Sequence, residues 1–500
     1  MQRKKFKKSQ KEHQDEKRLN LSLSELNTYL KKAAVLVCLF LIGHIGFSQT
    51  SSSSIFSTKG LSAYQNLISG DLSPIPSVSS SELNYLNLYR HTLSVFLIDT
   101  LELDQYETVF DQSIDSFKKS SGNLKHQYFE ADARLQASLV YYKFGNQLDA
   151  AWQLRQSYRI SSSLLKVSPD FLPAYKTYGL LNLLLGSVPE KYQWLLSLAG
   201  LNGNIKEGKD FLTKVSLSEA AVAKESFFLS LISQAYILGE TTKTNNAFQR
   251  DKLNTLITMA LASKNKEGNE VIKVFHSGSN NTYFPQSYYL LAEAYFQKAE
   301  YAEAEKNYEI FIANFLGEAN KKDALFKLYL ISKFHRHNTP KANKLLNELN
   351  NLNAITTADQ NAEALLENEN FNFSMFKLRM AIDGGYNKLA IKLLGELKLY
   401  NKSDSIEALY RNARLQHQLG NMTEAKKLYS KTMIQPRINN SYFAPNSALQ
   451  LGLIYEENNQ LDSAVYYYKK ALGYKHHIYK NSIDAKAEAG LNRIESTLND

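Results

Sequence analysis

Cysteine is all but missing from this 500-residue chain, and proline (nine) and glycine (22) are scarce. The one cysteine, Cys38, has no partner for an intrachain disulfide, which also excludes metal sites built on several thiolates. So few prolines and glycines exclude a fold of many tight hairpins. Long helices with short connections fit better than an all-β or a Rossmann-type architecture. No apolar stretch reaches the ~20 residues of a membrane-spanning helix. The formal charge of +10 is also misleading. Residues 1–32 hold ten Lys or Arg against four acids, and taking those from the totals of 59 and 49 leaves 49 basic against 45 acidic residues. So mild an excess excludes an RNA- or DNA-binding stripe, because phosphate neutralisation needs clustered cations.

Catalytic signatures are missing as well. There is no His-Glu-x-x-His, Gly-x-Ser-x-Gly or Walker motif. Of ten histidines only His335 and His337, and His476 and His477, are close together. Helical residues one or two apart diverge too far to share a metal. The run from Gly200 through Gly203 to Gly208 lacks the Lys-Ser/Thr of a phosphate loop and reads as an interhelical turn. Glu300, Glu303 and Glu305 read as a solvated helix face. No catalytic residue, cofactor or metal is expected.

What the chain does have is aromatic side chains, 31 Tyr and 25 Phe, and a cadence of small and aromatic residues. In the clearest copy Leu451, Gly452, Tyr455, Ala464, Tyr468 and Ala471 occupy offsets 7, 8, 11, 20, 24 and 27 of a unit of roughly 34 residues. Where two antiparallel helices cross, Gly or Ala lets the backbones approach and the larger residues fill the space around the contact. A unit this short cannot bury its own apolar face, so neighbours must stack on it. Other copies contain Leu291-Ala292, Tyr295, Ala304 and Tyr308; Gly385, Ala390 and Leu394; and Ala413, Gly420, Ala425 and Tyr429. A degenerate copy holds Tyr141, Gly145, Ala150 and Leu154, and Leu180–Leu185 reads as a helix buried on several sides. The helices from Asp323 to Asn350 carry no clear anchors.

The N-terminus has the pattern of an export signal. A basic segment ends at Lys31-Lys32, an apolar run follows from Ala33 to Gly43, and Gly46 and Ser48 offer a cleavage site after Ser48. The long basic segment leaves an uncleaved anchor as the alternative. Val37 before Cys38 argues against a lipoprotein. The expected division is a signal over 1–48, a Ser-rich tether and first helix over 49–81, a degenerate helical-repeat region over 82–280 and regular repeats over 281–500. The Phe-Ser-Gln ending and Asn/Lys-rich composition resemble exported proteins of Bacteroidota-type bacteria.

The anchor residues resemble those of the tetratricopeptide-repeat superfamily, whose consensus places Leu-Gly, Tyr, Ala, Phe/Tyr and Ala at the same offsets. Offset 4 is never Trp here, and offset 27 is Phe311 or Thr432 in two copies. The block Gly179–Phe211 with Tyr442–Gly452 is also similar to the tetratricopeptide-repeat protein 39 family. The resemblance implies an all-α fold of helix-turn-helix repeats stacked into a right-handed solenoid. Its inner curve would be lined by Tyr289, Glu293 and Phe296; by Met375, Arg379 and Asp383; and by Glu407, Tyr410, Arg414 and His417. Arg379 and Arg414 share one offset in consecutive repeats, so they are expected side by side, either on a ligand carboxylate or on a neighbouring acid such as Asp383 or Glu407. The implied function is a non-enzymatic, exported scaffold that binds a protein or peptide, periplasmic or peripherally associated with an outer-membrane complex. The alternative is a carbohydrate-binding partner of an outer-membrane transporter. Trp152 and Trp194, both in apolar sequence context, count against the exposed platforms this would need.

Overall fold

The computed structural model describes residues 55–99, 102–119, 122–188, 196–242, 251–277, 283–368, 371–435 and 441–499. The expectations for the export signal, Cys38 and Trp194 lie outside those residues. Among the described residues every regular element is a helix and no strand occurs. No described helix is long and apolar enough to cross a membrane. The chain falls into two compact units that divide within one helix, between Ile257 and Thr258.

The N-terminal unit contains α1 (Thr58–Leu67), α2 (Ser80–Leu97), α3 (Leu103–Lys118), α4 (Leu124–Lys143), α5 (Gln147–Val167), α6 (Leu172–Gly186), α7 (Ile205–Ser216) and α8 (Ala223–Ile232). Sequence neighbours pack as antiparallel pairs, and α4 also touches α2 and α6. That next-but-one contact is the mark of stacked helix pairs. The all-apolar run of α6 is buried throughout Leu180, Leu181, Leu183, Leu184 and Leu185. The glycines after it serve packing. A Cβ on Gly208 would stand 2.8 Å from the Gly179 carbonyl oxygen, and one on Gly203 would overlap the Gly186 backbone. Hence α6 and α7 approach through glycine, with no phosphate loop between them.

The C-terminal unit begins in α9 (Lys252–Lys264) and continues through α10 (Gly268–His276), α11 (Pro285–Gln297), α12 (Tyr301–Asn314), α13 (Lys321–Leu330), α14 (Thr339–Asn350), α15 (Thr357–Leu366), α16 (Phe373–Asp383), α17 (Asn387–Gly395), α18 (Lys402–Gln418), α19 (Met422–Met433), α20 (Phe443–Glu457), α21 (Leu461–Gly473) and α22 (Lys480–Asn499). Pairs α11/α12, α18/α19 and α20/α21 are closely packed, with α16, α18, α20 and α22 each touching the next. Ala304, Ala390, Ala425 and Ala464 are all completely buried. Tyr468 shows why one anchor must be glycine: its ring would lie 2.6 Å from a Cβ on Gly452 and 2.4 Å from one on Gly490. The ring is a wedge between α20 and α22.

One turn recurs between the paired helices of the repeat. At Gly145, Lys266, Ala299, Gly385, Gly420 and Asn459 the backbone is left-handed, with φ between 55° and 86°. In each case that residue's N–H bonds the carbonyl three residues back and the next N–H bonds the carbonyl five residues before it, as in Gly385 to Ile382 and Tyr386 to Ala381. This is the Schellman closure of a helix C-terminus. Five residues on stand Ala150, Val271, Ala304, Ala390, Ala425 and Ala464, and nine residues on stand Leu154, Phe275, Tyr308, Leu394, Tyr429 and Tyr468. The copy at Lys266 escapes the sequence pattern because lysine fills the glycine position and Val271 the alanine position.

Candidate functional site

The residues expected on the inner curve sort into two groups. In α11, Tyr289 and Phe296 are buried and Glu293 is largely so. Lys327 of α13 lies between two carboxylates, 2.5 Å from Asp323 and 2.5 Å from Glu293. The Tyr289 hydroxyl donates to Asp323 at 2.7 Å and the Tyr308 hydroxyl to Glu293. Phe296 packs on Tyr301 and Phe376. These three side chains hold helices together, because α13 and α16 cover the face that the repeat offset assigns to the groove.

The N-terminal unit contains the same arrangement. Lys176 sits 2.9 Å from Asp132 and 2.8 Å from Glu225, Tyr85 donates to Asp132 at 2.9 Å, and Tyr64 donates to Glu225. Burial opposes ionisation of Asp132, but Lys176 with hydrogen bonds from Thr177 and Gln136 outweighs it and lowers the pKa. For Glu225 burial wins over Lys176 and the pKa is raised. A lysine between two carboxylates carries one negative charge in excess, so the pair tends to keep a proton. The adjoining cavity has room for about one water, and every charged member is nearly fully enclosed. This arrangement stabilises the fold and offers no access to a substrate.

The second group is different. Arg379 and Asp383 stand one turn apart on α16, and α18 brings Arg411, Arg414 and His417 against them. Asp383 lies 3.6 Å from the Arg379 Nε and 3.6 Å from an Arg414 terminal nitrogen. Both distances are ion-pair contacts too long for good hydrogen bonds. Arg414 also donates to the Tyr410 hydroxyl at 3.2 Å. Tyr410 itself is buried and receives the Asn446 amide. Arg411 is already neutralised, with Nε and a terminal nitrogen 3.0 and 2.7 Å from Glu407. Of the other two expected groove residues, Met375 is buried and Glu407 is engaged by Arg411. Burial alone would raise the Asp383 pKa, but Arg414, Arg379, Arg411 and Lys266 hold it below its ordinary value. The site is partly buried, with side-chain exposures of 30% for Asp383, 21% for Arg379 and 17% for Arg414. Glu305, read from sequence as solvated, receives Lys341 at 2.7 Å and Arg336 at 3.2 Å.

The six matching turns, five with a buried alanine and one with Val271 five residues on, establish a repeat, and a family model described as tetratricopeptide repeat matches residues 285–309 and 445–475. The chain is a tetratricopeptide-repeat protein. No curated protein and no solved structure matches it. Tetratricopeptide repeats are a protein-binding architecture, and this one presents its basic cluster where consecutive first helices α16 and α18 meet. Among the described residues no three His, Cys, Asp or Glu side chains are grouped to hold a metal ion. Sequence reasoning missed Lys266, the third cation of the cluster. Its place at a left-handed turn carries no sequence signal, although the Gly385 it packs against was singled out.

Proposed function

We propose that this tetratricopeptide-repeat protein is a non-enzymatic, exported scaffold of the cell envelope that binds a protein or peptide along its first helices. The observation that carries the reading is the basic cluster on α16 and α18, where Arg379 and Arg414 share a single carboxylate in a solvent-reached position. An array of first helices offering unspent donors suits an extended segment of a partner. The signal-like pattern before Ser48 supports export. The test is affinity purification of the tagged chain from the envelope fraction of its own cells, with mass spectrometry of what accompanies it and of its N-terminus. An unprocessed chain found only in the cytosol, with no stoichiometric partner, refutes the proposal.

One observation keeps the carbohydrate reading alive. Trp152, apolar by sequence context, is 53% exposed, and Leu148 one turn before it is 87% exposed. An exposed indole is the platform a sugar ring stacks on. Titration of Trp152 fluorescence with oligosaccharides tests this, and Trp152→Ala removes any true signal.

A further inference from the structure

Two connections from a second helix to the next first helix follow one path. Residues 315–320 lead from α12 to α13, and residues 474–479 lead from α21 to α22. Each ends in a left-handed residue, Asn320 at φ 64° and Tyr479 at φ 62°. In each, the following N–H bonds the carbonyl three residues back, and the left-handed residue's carbonyl accepts the N–H four residues on, as in Lys480 to His477 and Ile483 to Tyr479. Asparagine suits such backbone, whereas a bulky side chain there is strained. The turn itself therefore gives no reason for tyrosine. Nor does the docking of α22, which is anchored by the buried Ile483, Ala487 and Ile494.

The Tyr479 side chain reaches out of its own layer. Its hydroxyl donates to Asn361 of α15 at 2.6 Å, across 118 residues of sequence. Its ring stands edge-on to Tyr442 at the start of α20, with 4.9 Å between centroids. The Tyr442 hydroxyl in turn receives Arg411 of α18 at 2.8 Å. Burial raises the Tyr479 pKa, and Arg379 of α16 opposes it through its charge and a hydrogen bond. Helices α16, α18, α20 and α22 touch in series. A bond from the turn before α22 back to α15 is thus a chord across their inner side, since on the outer side successive layers splay apart. Arg379, assigned to the inner curve by its repeat offset, stands beside that chord.

We propose that Tyr479 is an autoinhibitory latch, whose side chain closes the inner curve between α15 and α20 until a bound partner segment displaces it from Asn361. This rests on the scaffold reading above. One hydrogen bond and one ring contact hold the latch, and Ile478 beside it is 51% exposed. A side-chain rotation in this surface turn opens the curve without undocking α22. Left-handed tyrosine persists only while its contacts hold it there, so opening also relieves backbone strain.

The test measures how fast phenylglyoxal modifies Arg379 in the full chain, located by peptide mass spectrometry. Arg336 and Arg493, with side chains 46% and 49% exposed, serve as internal references. Tyr479→Asn installs the residue that already holds this turn at position 320, and should speed modification of Arg379 by roughly ten-fold with the references unchanged. Tyr479→Phe and Asn361→Ala break the same bond, so each should give a rise of roughly three-fold and the double substitution no more than either. An Arg379 rate indifferent to these changes overturns the latch. If Tyr479→Asn speeds all three arginines together, the side chain merely holds the end of the array, and Asn361→Ala, far from the turn, decides: Arg379 alone must respond. Capture from the envelope fraction then tests inhibition. Partners retained by the tagged parent should be enriched several-fold on the Tyr479→Asn chain, and equal capture despite a faster Arg379 overturns the inhibitory role. No partner on either chain removes the scaffold reading and the inhibition with it, while the Arg379 rates still decide whether the curve is latched.

Discussion

Lys327→Met is the most informative single change. The side chain is of similar length, so volume is nearly conserved and the effect is electrostatic. Without the ammonium group, Asp323 and Glu293 remain in the interior with only Tyr289 and Tyr308 hydroxyls to receive. Breaking a buried ion pair by removing one partner costs about 3–5 kcal/mol, because an uncompensated charge is left behind. In a unit of this size a cost of about 4 kcal/mol lowers the melting temperature by roughly 10 °C. The variant should also acquire a pH dependence of its own. Even with Lys327 present, burial raises the Asp323 pKa to about 6. A carboxyl with a raised folded-state pKa supports the fold fully below its unfolded value and loses that support as pH climbs through the folded value. The parent chain should therefore lose stability between about pH 4 and pH 6 from this group. The variant, with Asp323 pushed higher still, should go on losing stability above that window. Differential scanning calorimetry at pH 5 and pH 8 measures both. A melting temperature within 2 °C or so of the parent at pH 8 would refute the claim that Lys327 neutralises those two acids.

Gly385→Ala and Gly420→Ala separate the two reasons for glycine at a left-handed turn. Both positions have positive φ, but a Cβ meets the Lys266 backbone at the first and open space at the second. Urea unfolding should show about 1 kcal/mol lost for Gly420→Ala and at least twice that for Gly385→Ala. Thr356→Ala removes the capping box with Asp359 and a 2.7 Å hydrogen bond to Asn320. The expected cost is about 1–2 kcal/mol in the same assay, with little change in helix content by circular dichroism. Gly452→Ala drives a methyl into the Tyr468 ring and should cost about 1–3 kcal/mol, whereas Gly473→Ala, with nothing near it, should be close to neutral.

The fold was legible where geometry permits only one kind of residue. Ala390, Ala425 and Ala464 are completely buried at the same position of their repeats, so their spacing alone discloses the repeat. Gly452 is required by the Tyr468 ring for the same reason. The turn at Lys266 was invisible because left-handed backbone tolerates lysine at a cost and therefore leaves no fixed letter. Offsets within a repeat were a weaker guide to the site. They name the face of a helix, and they cannot say what a later element lays over that face. Tyr289 and Phe296 were placed correctly on α11, yet α13 and α16 cover them. Arg379 and Arg414 were expected side by side and do meet, at the Asp383 carboxylate. Asp383 was named as a possible partner for Arg379; that Arg414 shares it needed coordinates. The lysine-centred networks were unreadable, since Lys176, Asp132 and Glu225 come from three helices far apart in sequence.

That lysine has a bearing on how the N-terminal half comes apart. An array whose layers touch only their neighbours is expected to fray from its ends, one layer at a time. Here α1, α2, α4, α6 and α8 each contribute one member to a single chain running Tyr64, Glu225, Lys176, Asp132, Tyr85. Peeling away α6 would leave the Asp132 and Glu225 carboxylates without their counter-ion in helices not yet undone. Loss of that layer thus carries the penalty of its neighbours, and amide exchange should find these five helices opening in one concerted event instead of a graded sequence.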